Sequence, residues 1–336
     1  MQGDAIHLVK TSISIPDDLL SEAKQLSRNV SALVTEAQRD YLRRLKAEKA
    51  LESFGSWEAR EESSIDLVNR MRSEEVRDYA ERDRFFEKQF RIRSYEVDFR
   101  GRVSPVAILN YLQDAAAEHS YRLGVAVTDL RPKGLTWVLS RSHLKLYHAP
   151  GVGEVLRIRT WPSLRDGRFT CREFELHDRQ GELVALATTS WAVLDVASRR
   201  PVRLDTCLPL YPLDPRRAID DDFASLSRLD EADRALSFRI RLTDLDLNRH
   251  VNNAVYAAWA LEVIPPEVME ECRLEELEIA FRAEARYGDS ILSQAAEMHG
   301  SGLSFLHQIT EQGADKELTR LKTVWKKHAG DIPCRL

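Results

Sequence analysis

The chain has 336 residues, 43% hydrophobic and 31% charged, with a formal net charge of −5. That length exceeds what one core usually serves, so two or three domains are expected, and the acidic balance excludes bulk attraction to nucleic acid or anionic membrane. No apolar run approaches the roughly 18 residues of a membrane span, the first residues lack the zones of a signal peptide, and the four scattered cysteines form no CxxC pair. A cytoplasmic protein without structural disulfides is expected.

Residues 1–48 open with "VKTSISIP", where Val9, Thr11, Ile13 and Ile15 alternate with Lys10, Ser12 and Ser14, the pattern of a half-buried strand. Pro16 ends it, and "PDDLLSEAKQL" begins a helix with acids in its first turn. Ser31 is an N-cap for a second helix with Leu33, Val34, Ala37, Tyr41 and Leu42 on one face. One strand and two helices of this size bury a core only as a pair of chains. That is the ribbon-helix-helix plan, so at least a homodimer is expected, with Lys10, Ser12 and Ser14 facing DNA bases and the Ser31 helix start facing phosphate. The segment resembles CcdA-type antitoxins. Residues 49–85 are dense in charge and read as a helical linker; the resemblance implies a tail able to fold onto a toxin.

From residue 86 the chain repeats itself. "FRIRSYEVDFRGRVSPVAILNYL" from Phe90 matches "FRIRLTDLDLNRHVNNAVYAAWA" from Phe238, 148 positions on. Further along, Gly153-Glu154 matches Gly288-Asp289. Each copy reads as a strand, a turn, an apolar helix (252 to 264 in the second, with Asn252 or Asn253 as cap) and several antiparallel strands. An α+β tandem, or double, hotdog fold is expected, with units at 86–232 and 233–330.

The copies diverge where chemistry would sit. Asp98 matches Asp246, but Asn248 stands against Arg100, His250 against Arg102 and Glu284 against Ala149. Capping a helix needs neither His250 nor Glu284, so Asp246, Asn248, His250 and Glu284 form the candidate catalytic set of the second unit. In an extended stretch, positions 246, 248 and 250 project to one side.

Residues 88–329 resemble the acyl-acyl carrier protein (acyl-ACP) thioesterase family, whose plant members are FatA and FatB. "DLNRHVNN" matches D-x-N-x-H-V-N-N, and "LEIAFRAEARYGDSI" matches the strand that carries the family's acidic residue, at Glu284. Plant members have a cysteine after that acid; Ala285 stands here and excludes a cysteine nucleophile at that place. The resemblance implies hydrolysis of fatty acyl-ACP without cofactor or metal, with Glu284 or His250 as general base, and a tunnel in the first unit. Ile108, Leu109, Leu112, Ala116 and residues 135–140 are the candidate lining. Acyl-CoA as substrate, a transcriptional regulator sensing acyl thioesters, and a fused antitoxin are the alternatives. No GxSxG elbow is present, and His143 and His148 face opposite sides of a strand.

Overall fold

A computed structural model describes residues 83–328, apart from 247, 301 and 315. Lys10, Ser12, Ser14, Ser31 and the expected ribbon-helix-helix lie outside the described residues, as does nearly all of 49–85.

The first half runs β1 (Phe86–Arg91), α1 (Pro105–Arg122), α2 (Val127–Leu130), β2 (Leu135–Leu146), β3 (Val155–Asp166), β4 (Phe169–His177), β5 (Leu183–Asp195) and α3 (Leu204–Cys207). The second runs β6 (Arg234–Arg239), α4 (Asn253–Leu261), α5 (Pro266–Glu271), β7 (Cys272–Phe281), β8 (Ser290–Glu297), β9 (Leu303–Glu311) and β10 (Glu317–Lys327). The strands form one antiparallel sheet in the order β1-β3-β4-β5-β2-β7-β10-β9-β8-β6. Read from either edge to the middle, the order is the same. β2 and β7 join the halves between Arg141↔Ala280 and Lys145↔Glu276.

Each half wraps its sheet around one helix, the hotdog arrangement. Helix α1 starts at Pro105 under the Ser104 cap, whose hydroxyl oxygen accepts from the Ala107 amide at 3.1 Å. Helix α4 starts under Asn252, whose side chain accepts from the Ala254 amide at 3.0 Å. It stops at Leu261, short of the expected 264, because Pro265 disfavours helical backbone in the residue before it. Both helices bury apolar residues in one continuous core, α1 through Ile108, Leu112 and Ala115, α4 through Ala254, Ala257 and Trp259.

The repeat holds hydrogen bond by hydrogen bond. Ile92 exchanges backbone bonds with Glu154 and Gly153, both at 2.9 Å, and Ile240 does so with Asp289 and Gly288 at 3.0 and 3.1 Å. Gly153 and Gly288 turn there at φ +83° and +85°, a conformation that costs glycine little. Phe90 stacks on Tyr111 and Phe238 stacks on Trp259.

The connection between the halves crosses the sheet on the side away from the helices. Trp161 donates to the Arg216 carbonyl at 2.9 Å, Arg217 pairs with the buried Glu173, Asp221 meets His143, and Arg320 donates to the Leu226 carbonyl at 2.7 Å.

Candidate active site

The stretch 245–251 is a tight turn, not the extended strand expected for alternating side chains. Leu245 and Val251 form a β-bridge, the Asp246 amide donates to the His250 carbonyl at 2.7 Å, and Arg249 lies at φ +62°. The Asp246 carboxylate is turned inward. It accepts from the Asn248 amide at 2.8 Å and the His250 amide at 3.0 Å. A short carboxylate that bonds the backbone a few residues on is a turn-former. The first half folds the same way: Asp98 accepts from the Arg100 amide at 2.9 Å and the Arg102 amide at 3.1 Å, and Gly101 takes the positive φ. The acid common to both halves therefore holds the turn. Asn248 and His250 are what the second turn presents.

Glu284 also lies off the strand that the sequence suggested. β7 ends at Phe281, and 282–289 is an irregular connection. The Arg282 and Ala283 amides both donate to the Leu318 carbonyl, the Glu284 carbonyl accepts from Lys316 Nζ at 2.9 Å, and the Ala285 amide donates to the Tyr256 hydroxyl at 3.3 Å. This places the Glu284 carboxylate 3.6 Å from His250 Nε2, each side chain somewhat over 40% exposed.

In the first half the equivalent gap is closed. Arg102 donates to the Ala149 carbonyl at 3.3 Å, the Val103 amide donates to the Pro150 carbonyl at 2.8 Å, and Arg102 bridges Gly151. Among the described residues no such backbone bond joins 250–251 to 285–286. The second half keeps an opening between turn and connection, and two titratable side chains line it.

A narrow apolar cleft lies between the two helices and the sheet. Leu109, Leu112 and Ala116 of α1 line it with Leu139, Phe174, Trp191 and Phe281. Three of the four helix residues expected there take part; Ile108 is fully buried core instead. Asn253 and Phe281, each three positions along the chain from His250 or Glu284, also line the cleft. Asn252 accepts from Gln113 and donates to Asn110, both at 3.1 Å, which ties α4 to α1 beside the cleft.

A second titratable cluster escaped sequence reading. His143 Nδ1 lies 2.6 Å from Asp221 and Nε2 lies 2.6 Å from Glu276, with Glu278 close by. The partners come from the connection and from β7, so no local spacing announces them. Lys145 and Lys322 pair with Glu276 and Glu278. Burial opposes charge on His143, but the two carboxylates prevail and raise its pKa; Glu276, bonded to His143, is held down at about 2. Both imidazole nitrogens face carboxylates, so both carry hydrogen, and the cluster reads as an ion-pair hub. Cys171, Cys207 and Cys272 are free thiols, and among the described residues no helix is long and apolar enough to cross a membrane.

Comparison with known proteins bears on the family and the fold. The family model of the acyl-ACP thioesterase N-terminal domain matches residues 83–207, and that of the C-terminal domain matches 227–327. The model of the post-segregation antitoxin CcdA matches 9–86. The oleoyl-acyl carrier protein thioesterase 1 of Arabidopsis thaliana is 28% identical over 275 residues, covering 72% of this chain and 76% of the relative. Two solved structures, an acyl-ACP thioesterase from Bacteroides thetaiotaomicron and the 12:0-ACP thioesterase from Umbellularia californica, each superpose with a TM-score of 0.65 at 25% identity. They cover 73% of this chain and 99% and 94% of their own. With both domain models matched in order on a tandem hotdog, the chain belongs to the acyl-ACP thioesterase family.

Proposed function

We propose that the chain hydrolyses fatty acyl thioesters of ACP to free fatty acid and holo-ACP, and that His250 and Glu284 carry the reaction. The observation behind this is their pairing at 3.6 Å in one half only, next in the chain to the helix start and strand end that supply Asn253 and Phe281 to the apolar cleft. Glu284 takes a proton from water while His250 orients it, and the resulting hydroxide attacks the thioester carbonyl. The oxyanion collapses, the C–S bond breaks, and the thiolate leaves with the proton that Glu284 holds. Asn248 donates from its side-chain amide to the water or the carbonyl. Of the first amides of α4, that of Ala254 is taken by the Asn252 side chain and that of Val255 by the Asn252 carbonyl, so Asn253 supplies the oxyanion donor. Asp246 acts through the turn.

The acyl chain lies in the cleft, and the acidic carrier docks on exposed Arg249 and Arg286 with Lys316 beside Glu284. Thiol release from acyl-ACP, compared with acyl-CoA, tests the reading and separates the two carriers. For the N-terminal segment, the antitoxin match over 9–86 supports a separate role: pairing into a homodimer, with Lys10, Ser12, Ser14 and Ser31 toward DNA, or with 49–85 toward a toxin. Sedimentation and a mobility shift on the protein's own promoter test it; a monomer that shifts no DNA would sink the pairing and DNA roles.

A further inference from the structure

Glu284 sits where no strand ladder holds it, and the peptide unit that joins it to Ala285 is held by side chains at both its polar groups. Its carbonyl accepts from Lys316 Nζ at 2.9 Å and its N–H donates to the Tyr256 hydroxyl at 3.3 Å. Lys316 is half exposed and also pairs with Glu311, so its hold is shared with solvent. Tyr256 is different. It is 3% exposed, its ring packs edge-on against Trp259 and Phe281, and Ala285 is fully buried. A buried amide needs a partner, and here the partner is one hydroxyl on a fixed ring. Burial, with a contribution from the Glu284 charge, pushes the Tyr256 pKa up to about 12, so the hydroxyl stays protonated.

The repeat supplies an internal control. The position equivalent to Tyr256 in the first half is Ile108, which has no hydroxyl, and the position equivalent to Ala285 is Pro150, which has no N–H. The half that lacks the Asn/His/Glu set lacks both members of this hydrogen bond. There the connection is held instead by the backbone bond from Val103 to Pro150 and by the Arg102 guanidinium on the Ala149 carbonyl, which close the gap. The open gap of the second half forgoes those bonds, and the hydroxyl of the wrapped helix replaces them from behind.

We propose that Tyr256 is a positioning residue for the thioesterase reaction: its hydroxyl fixes the Glu284–Ala285 peptide and so sets the Glu284 carboxylate against His250. This rests on the reading of Glu284 given above. A small displacement of a reacting group is expensive in rate, so Tyr256→Phe is expected to lower kcat between about 10- and 100-fold. KM should change little, because the ring still packs and the hydroxyl touches no substrate.

The test is a double-mutant cycle with a readout independent of turnover. Tyr256→Phe, Ala285→Pro and the double variant are assayed for kcat and KM on acyl-ACP. Proline already occupies the equivalent position in the first half, and Ala285→Pro removes the N–H itself. The hydroxyl effect should vanish in that background. In parallel, exchange of the Ala285 amide hydrogen should be at least about 10-fold faster in Tyr256→Phe than in wild type, and unchanged in Glu284→Gln. An unaltered kcat in Tyr256→Phe, or effects that simply add in the cycle, would overturn the proposal. Wild-type protein that cleaves no acyl-ACP or acyl-CoA would overturn the thioesterase reading instead, and the Ala285 exchange would still decide whether Tyr256 holds that peptide.

Discussion

His250 and Arg102 occupy the same place in two copies of one turn. His250 faces the Glu284 carboxylate at 3.6 Å, and Arg102 donates to the Ala149 carbonyl at 3.3 Å. The backbone scaffold is shared, and the chemistry differs through the side chains set upon it. The guanidinium has donors only and is spent on a carbonyl, so it offers no base. On the proposed reading, duplication lets the second half carry the reaction beside a cleft that both halves line.

The two turn acids separate structure from catalysis. Asp98 and Asp246 each accept from two backbone amides. Removing either carboxylate is expected to cost about 1 kcal/mol of stability, measured by denaturant unfolding. Asp246→Ala should also lower kcat, since it frees Asn248 and His250, while Asp98→Ala should leave kcat within about twofold. Equal kinetic losses in the two variants would contradict the assignment of the site to the second half.

Carrier docking is predicted to be electrostatic. Arg249→Glu and Arg286→Glu should raise KM for acyl-ACP, with the rise shrinking as ionic strength increases, and leave kcat nearly unchanged. Steady-state kinetics from about 0.05 to 0.5 M salt would show this. A KM that does not respond to charge reversal would place the carrier elsewhere.

Chain length should follow the cleft. Ala116 lines it from α1, and Phe174 and Trp191 line it from the sheet. Ala116→Phe adds bulk to the cleft and is expected to shift the preferred substrate to shorter acyl chains. Competition among acyl-ACPs of graded length measures the shift; an unchanged profile would mean the acyl chain lies outside the cleft.

The His143 hub sets a pH dependence of stability. The folded pKa of His143 is raised, so its contribution is complete below the unfolded imidazole value near 6.5 and is lost as pH rises through the folded value. The pKa of Glu276 is depressed to about 2, so its contribution is complete above about 4.5 and fades as pH falls toward 2. Greatest benefit from the pair therefore falls between about pH 4.5 and 6.5. His143→Ala removes the imidazolium from Asp221 and Glu276, both under a quarter exposed, and leaves Glu276 only Lys145, at a cost of about 3 kcal/mol in that window. Melting temperature against pH for wild type and variant would test it; parallel curves would contradict the assignment.

Much of the fold was legible because duplication leaves paired marks. FRIR recurs at Phe90 and Phe238, and Gly153 and Gly288 recur because each must turn at positive φ. The helices were visible as apolar runs. What the sequence obscured is where tertiary structure overrides local pattern. The alternation at 246, 248 and 250 suggests a strand, yet Asp246 bends it into a turn with its own carboxylate. Glu284 reads as strand, yet β7 ends three residues earlier and the peptide is held by Tyr256 and Lys316. The His143 hub joins residues 78 and 133 positions apart, and no spacing rule reaches that far.

The most direct measurement is free-thiol release from a panel of acyl-ACPs by the purified chain beside Glu284→Ala, with the native cysteines blanked separately. Turnover by the wild type is expected to fall by about 10²–10⁴-fold in the variant while folding is retained. Equal turnover in both proteins, or none on any acyl-ACP in the wild type, would contradict the proposed reaction.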